Sequence, residues 1–306
     1  MGGVIHLQVI GGLASRMRCV LAAIQASRRT GKRLVVDWPK AEAAQRPLGT
    51  FAVSLEELWA GPYTVVDAGH VMGGAVRTPR NEVPAALGRG GDVQIRADSP
   101  YELGEWCDMR LAETFRQSLC ATPMLSEEVK RLRDRLPRPA IGAHVRIANL
   151  SEERQPNYPW YFSRLDSLPP WPVYLAADSP EAAAAFGARL GGRLVLPERG
   201  DRLPVGTYNR EGILRVAAEL QVLSECDWVL GSRRSTYSEL VCLLRGGEKI
   251  GPARKANRAA PNVRGGRYED AAVPADSESL AEVLARYQRD TGRTGHERPG
   301  SRCPLG

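Results

Sequence analysis

Ile141-Gly142-Ala143-His144-Val145-Arg146-Ile147-Ala148-Asn149-Leu150 is the stretch on which the fold turns. It follows the charged, proline-marked segment Arg131 to Pro139 and reads as an apolar strand over 141–147 that runs into a polar loop. His144 and Arg146 are two apart, so a strand puts both on one face. An arginine in an apolar run needs a partner, because an unpaired buried charge is very costly. Two readings fit: the arginine meets an anionic ligand such as a phosphate, or it pairs with a structural carboxylate while the histidine simply packs.

Working outward, the same strand–turn–helix pattern recurs on both sides. Upstream, Val4 to Ile10 is a strand, Gly11-Gly12 a turn, and Cys19 to Ser27 an alanine- and leucine-rich helix. Such a turn presents backbone N–H groups to a phosphate, although the wording is neither GxGxxG nor GxxxxGK[ST]. Ser15 is a possible N-cap with Arg16 and Arg18 solvated. Two arginines so early in a helix oppose its dipole, which favours something negative nearby. Residues 33–38 give a second strand ending near Asp37, a loop cap or an edge ligand position. A short helix at 55–59, a strand at 63–67, a long glycine- and proline-rich loop over 68–92 and a strand at 92–95 follow. Helices are expected over 109–120 and 126–135. The aromatic run Tyr158 to Phe162 fits stacking on a ligand or packing at a domain seam.

Downstream, strand 173–178 ends in Asp178, and Ser179-Pro180 opens a helix to Leu190. A strand at 193–196, a polar loop at 199–210 and an amphipathic helix at 211–224 come next. Strand 226–231 then meets Ser232-Arg233-Arg234-Ser235-Thr236-Tyr237 and a helix over 237–244. Hydroxyls and N–H groups there suit a pyrophosphate or serve only as caps. Beyond 251 the chain is basic and rich in glycine and proline, with one helix expected at 277–289 and a disordered tail from 291. The fold class is α/β, with two units, 1–137 and 138–252, and an extension, 253–306.

Composition narrows the function classes. The 306 residues are 43% hydrophobic and 25% charged, as in a globular protein. The formal charge of +7 is not gathered into a stripe with aromatic platforms, so no nucleic acid partner is expected. Six cysteines, at 19, 107, 120, 226, 242 and 303, form no CxxC pair, and Cys19, Cys226 and Cys242 read as buried thiols. No signal peptide and no run of about 18 apolar residues is seen, so a cytoplasmic protein with no membrane partner is the default. The abundance of Ala, Gly, Arg and Pro suits a GC-rich bacterial source.

Four polar strand edges, at 11–18, 144–146, 178 and 232–238, now stand in order. In order and wording they resemble the fucosyltransferase superfamily of alpha-1,6-fucosyltransferases and protein O-fucosyltransferases. Gly11 to Arg18 is similar to its GGLGNRLR loop, His144-Val145-Arg146 to its His-x-Arg, Ala176-Ala177-Asp178 to its strand ending in aspartate, and Leu220 to Glu239 to its closing phosphate turn. The chain departs from the pattern at Ala14, Ser15 and Ile147-Ala148-Asn149. The resemblance implies a GT-B-like fold of two Rossmann-like domains facing across a cleft. It also implies an inverting, metal-independent glycosyltransferase with no cofactor. GDP-fucose is the first choice of nucleotide-sugar donor, and a glycan, peptide or small molecule is the acceptor. It gives Arg146 the β-phosphate and leaving group, with His144 beside it. Glu153 stands closest to the family's occasional base. The nucleotide falls to Gly11, Gly12, Ser15, Arg16, His144, Arg146, Asp178, Ser232, Arg233, Arg234, Ser235, Thr236 and Tyr237. Rival readings are another nucleotide-sugar donor with a natural-product acceptor, a non-catalytic nucleotide-sugar-binding protein, and a Rossmann oxidoreductase, whose glycine fingerprint is not met.

Overall fold

A computed structural model describes residues 2–38, 52–66, 78–97, 103–104, 106, 111–146, 158–197, 209–232 and 235–245, with the backbone of 251–252 and 268–269. Strands β1 (Val4–Val9) and β2 (Arg33–Asp37) flank helix α1 (Leu13–Thr30) as a parallel βαβ unit. A short helix α2 (Leu55–Leu58) leads through β3 (Trp59–Ala60) to β4 (Thr64–Val66). Helix α3 (Val83–Gly88) precedes β5 (Val93–Ala97). The first sheet has the order β4-β2-β1-β5 and is parallel throughout. Helix α4 (Leu111–Ser118), strand β6 (Cys120–Ala121) and helix α5 (Pro123–Arg133) follow, and β6 pairs antiparallel with β3.

The second sheet repeats the design. Strand β7 (Ile141–Val145), helix α6 (Tyr158–Ser167), strand β8 (Val173–Ala177), helix α7 (Pro180–Leu190) and strand β9 (Leu194–Val195) are succeeded by helix α8 (Arg210–Glu225), strand β10 (Trp228–Leu230) and helix α9 (Thr236–Leu244). The order is β10-β7-β8-β9, again all parallel. Every residue of β7 is buried, as a parallel strand covered on both faces requires. On one face Ile141, Ala143 and Val145 join Phe162, Leu165 and Phe186 of α6 and α7. On the other, Tyr174 and Ala176 share with α8, α9 and α1 a core that continues into the first sheet.

Several expectations change. The run 68–92 is not one loop: a 3₁₀ turn at Arg80–Glu82 and α3 occupy its described part, started by Pro84, which suits a first helical turn. α5 begins at Pro123, capped by the Thr122 side chain, three residues before the charged run that signalled it. α1 begins at Leu13, so Ser15 is not its cap: Gly12 is. Arg16 and Arg18 are buried, because α1 lies against its own sheet on one side and α4 and α9 on the other. The aromatic run belongs to α6 and packs on Phe186 within the second unit. Cys19, Cys226 and Cys242 are buried thiols, as expected, and burial pushes the Cys226 thiol up to about 12. The 277–289 helix and the tail lie outside the described residues.

Candidate active site at the strand edges

The first edge follows β1. Gly11 has φ +87°, a left-handed conformation that a side chain would strain, and Gly12 is extended and caps α1 without a side chain. Arg16 is fully buried, donates from Nε to the Gly11 carbonyl at 2.9 Å, and lays its guanidinium 5.1 Å from the centre of the Trp38 ring. It therefore clamps the glycine turn from inside. Two residues on, Arg18 makes a 2.6 Å ion pair with Glu239 on α9, both side chains nearly buried. Ser15 Oγ donates to Thr236 Oγ1 at 3.2 Å. The N-terminal turns of α1 and α9 are thus bonded to each other across 221 residues of sequence. Helix N-termini carry partial positive charge and unpaired N–H groups, which suits an anion.

The second edge is the end of β7. His144 Nδ1 lies 2.7 Å from Ser238 Oγ, and its ring packs 4.6 Å from that of Tyr237. Burial, helped by the Arg146 charge, pushes its pKa down to about 3, so the imidazole is neutral. Ser232 Oγ donates to the His144 carbonyl at 3.0 Å and accepts from the Arg146 backbone N–H at 2.8 Å. The buried Tyr161 hydroxyl donates to the same carbonyl at 3.0 Å and lies 3.1 Å from Ser232 Oγ. The chain at 144–146 is therefore braced by β10 and α6 together. The Arg146 side chain, half-buried, has no partner among the described residues.

The third edge follows β8. Asp178 donates its backbone N–H to Val145 at 3.4 Å, which keeps the ends of β7 and β8 abreast. Ser179 caps α7 through the Ala182 N–H at 3.2 Å, as its Ser-Pro wording signals. The fourth edge follows β10. Gly231 is obligatory, since a Cβ there would meet the Ser238 Cβ at 2.8 Å. Ser235 caps α9. Ser238, in that helix's first turn, accepts from the Ser232 N–H at 3.0 Å.

Sequence-predicted residues therefore divide. Gly11, Gly12, Ser15 and Thr236 come together, with Ser235 capping α9. His144 lies at the end of β7 and Arg146 directly follows that strand, with Asp178 bonded beside them. Three of the predicted residues also have polar groups engaged within the protein. The Ser232 hydroxyl and N–H are both engaged within the protein. The Tyr237 hydroxyl donates to the Val216 carbonyl on α8 at 2.9 Å. Arg16 is turned into the glycine loop. Glu153, Arg233 and Arg234 lie outside the described residues. Asp37, proposed as an edge group, accepts from Gln8 Nε2 at 2.9 Å on the neighbouring strand. Two residues were missed as site supports, Ser238 and Tyr161. A serine three places after a capping serine faces back toward the helix start, and that spacing was the available signal.

No protein-family profile matches the sequence, and no curated protein matches it. Solved structures do. The NodZ alpha-1,6-fucosyltransferase soaked with GDP-fucose superposes with a TM-score of 0.57 at 14% identity, covering 80% of this chain and 93% of that one. The fucosyltransferase NodZ from Bradyrhizobium gives 0.55 at 13% identity, covering 80% and 94%. A mutant of Arabidopsis thaliana FUT1 in complex with GDP gives 0.56 at 13%, covering 87% and 74%. POFUT1 in complex with GDP-fucose gives 0.52 at 12%, covering 80% and 94%. At such identities the likeness is one of fold, and the fold is the GT-B-like α/β fold of these proteins.

Proposed function

We propose that the protein is an inverting glycosyltransferase that carries a sugar from a GDP-sugar, GDP-fucose first among them, to an acceptor hydroxyl without a metal ion. One observation carries the reading. Arg146 directly follows the central strand and carries a guanidinium that has no protein partner among the described residues, beside a neutral histidine. Its fold is shared with proteins solved with GDP or GDP-fucose.

The chemistry follows from charge. The acceptor oxygen attacks the anomeric carbon while the bond from that carbon to the β-phosphate oxygen breaks. The electron pair leaves with GDP, and the acceptor proton goes to a base. Arg146 stabilises the charge gathering on the leaving phosphate, and a fork of N–H donors fits that task. The joined N-termini of α1 and α9 receive the rest of the diphosphate. Arg233 and Arg234, by sequence, add charge at the same turn. Glu153 is the proposed base, carried from the sequence resemblance. Residues 138–252 take the donor and residues 1–137 the acceptor, across a cleft between them.

Calorimetric titration with GDP, UDP, TDP and NAD tests the reading. GDP is expected to bind tightest, and equal or absent binding of all four removes it. Turnover of GDP-fucose is expected to survive EDTA, whereas a strict Mg²⁺ or Mn²⁺ requirement removes the metal-free step.

A further inference from the structure

The hydrogens of the Ser238–His144 pair can be assigned from bonding alone. Ser238 Oγ is buried and has two neighbours, the Ser232 N–H at 3.0 Å and His144 Nδ1 at 2.7 Å. The Ser232 N–H can only donate, so it uses a lone pair of the oxygen. A hydroxyl carries one proton and two lone pairs. If His144 carried its proton on Nδ1, Ser238 would accept twice and its own O–H would be buried with no acceptor, at the expense of a lost hydrogen bond. If Ser238 donates to a bare Nδ1, every group is satisfied. The ring proton then sits on Nε2. That nitrogen meets no protein group among the described residues and is not one of the buried unsatisfied atoms, so solvent reaches it.

We propose that Ser238 is a positioning residue that holds His144 in the Nε2–H tautomer, so that the imidazole offers an uncharged hydrogen-bond donor to an anionic ligand oxygen beside Arg146. It acts there as neither base nor cation. This rests on the nucleotide-diphosphate reading only for the identity of that oxygen; the tautomer does not depend on it. The rest of the network serves the same end. Tyr161 and Ser232 fix the His144 carbonyl, and the Tyr237 ring limits rotation of the imidazole. The charged group that acts on the ring is Arg146, one residue past its strand, while Glu239, next to Ser238 in α9, is paired with Arg18.

Nitrogen-15 long-range correlation spectra of the ligand-free, full-length protein test it. The chain has four histidines, and the His144→Gln variant identifies the set that belongs to position 144. The expected pattern is an unprotonated Nδ1 and a protonated Nε2, unchanged from about pH 5 to about pH 8. Ser238→Ala is expected to bring in the Nδ1–H tautomer, and to weaken GDP binding about fivefold to tenfold, the scale of one neutral hydrogen bond. A protonated Nδ1 in the unmodified protein, a titration midpoint inside that pH range, or a tautomer unmoved by Ser238→Ala overturns the proposal. Absence of GDP binding by the unmodified protein would instead strike at the nucleotide reading, while the spectra still decide the tautomer.

Discussion

The two sheets end alike in topology and differently in chemistry. At the edge of the first, the chain supplies backbone: Gly11 and Gly12 make the turn, and its two arginines are consumed inside the protein, Arg16 on the Gly11 carbonyl and Arg18 on Glu239. At the edge of the second, the chain supplies hydroxyls: Ser232, Ser238 and Tyr161 hold the backbone still, and among the described residues nothing pairs with the Arg146 guanidinium. Positive charge close to a strand-edge turn is therefore a poor guide to function by itself. The useful distinction is between an arginine whose hydrogen bonds are taken and one whose bonds are available.

That contrast can be broken most forcefully at Arg18. Arg18→Ala removes the nearly buried ion pair with Glu239 and is expected to lower stability by about 3–5 kcal/mol in urea unfolding, while the paired change Arg18→Met with Glu239→Leu recovers most of it. A mild stability change with a large kinetic one would erase the difference between the edges. Arg146→Ala is the mirror experiment. Transfer is expected to fall about 10²–10³-fold, with the thermal midpoint nearly unchanged, because the side chain pairs with no group among the described residues. Near-normal turnover would dismiss it from the site.

The third test reads the buried histidine. His144 titrates about 3 folded against 6.5 unfolded, so the folded state binds fewer protons between those values. Its contribution is complete above pH 6.5 and is lost as pH falls toward 3, with a slope approaching about 1.4 kcal/mol per pH unit. His144→Gln should flatten that part of the stability profile, and an unchanged slope would assign the histidine to solvent. Smallest of all, Ser15→Ala removes one part-buried hydrogen bond to Thr236 and is expected to lower stability by about 1 kcal/mol or less.

Most of the fold was legible because its strands are short apolar runs bounded by turn residues, and Ser179-Pro180 marks a helix start without ambiguity. The start of α1 was not. Its first turn carries Ser15, Arg16 and Arg18, polar residues that read as a solvated lead-in, and only the arrival of α9 from far along the chain makes that turn an interior one. The order of the site was legible from His144, Arg146 and the serine-rich turn. Which hydroxyls cap a helix and which brace the backbone was not, since Ser232, Ser235, Thr236 and Ser238 have nearly the same chemistry and are sorted only by three-dimensional placement.

The Arg18–Glu239 pair joins positions 221 residues apart. On a ribosome adding about 5–20 residues per second, α1 is complete for roughly 10–45 s before its counter-ion has been made. During that interval α1 lacks the carboxylate that α9 later brings to Arg18. The face of α1 that meets α9 therefore stays uncovered until α9 is synthesised. Synthesis order thus makes the last described helix the step that closes the first unit of the protein.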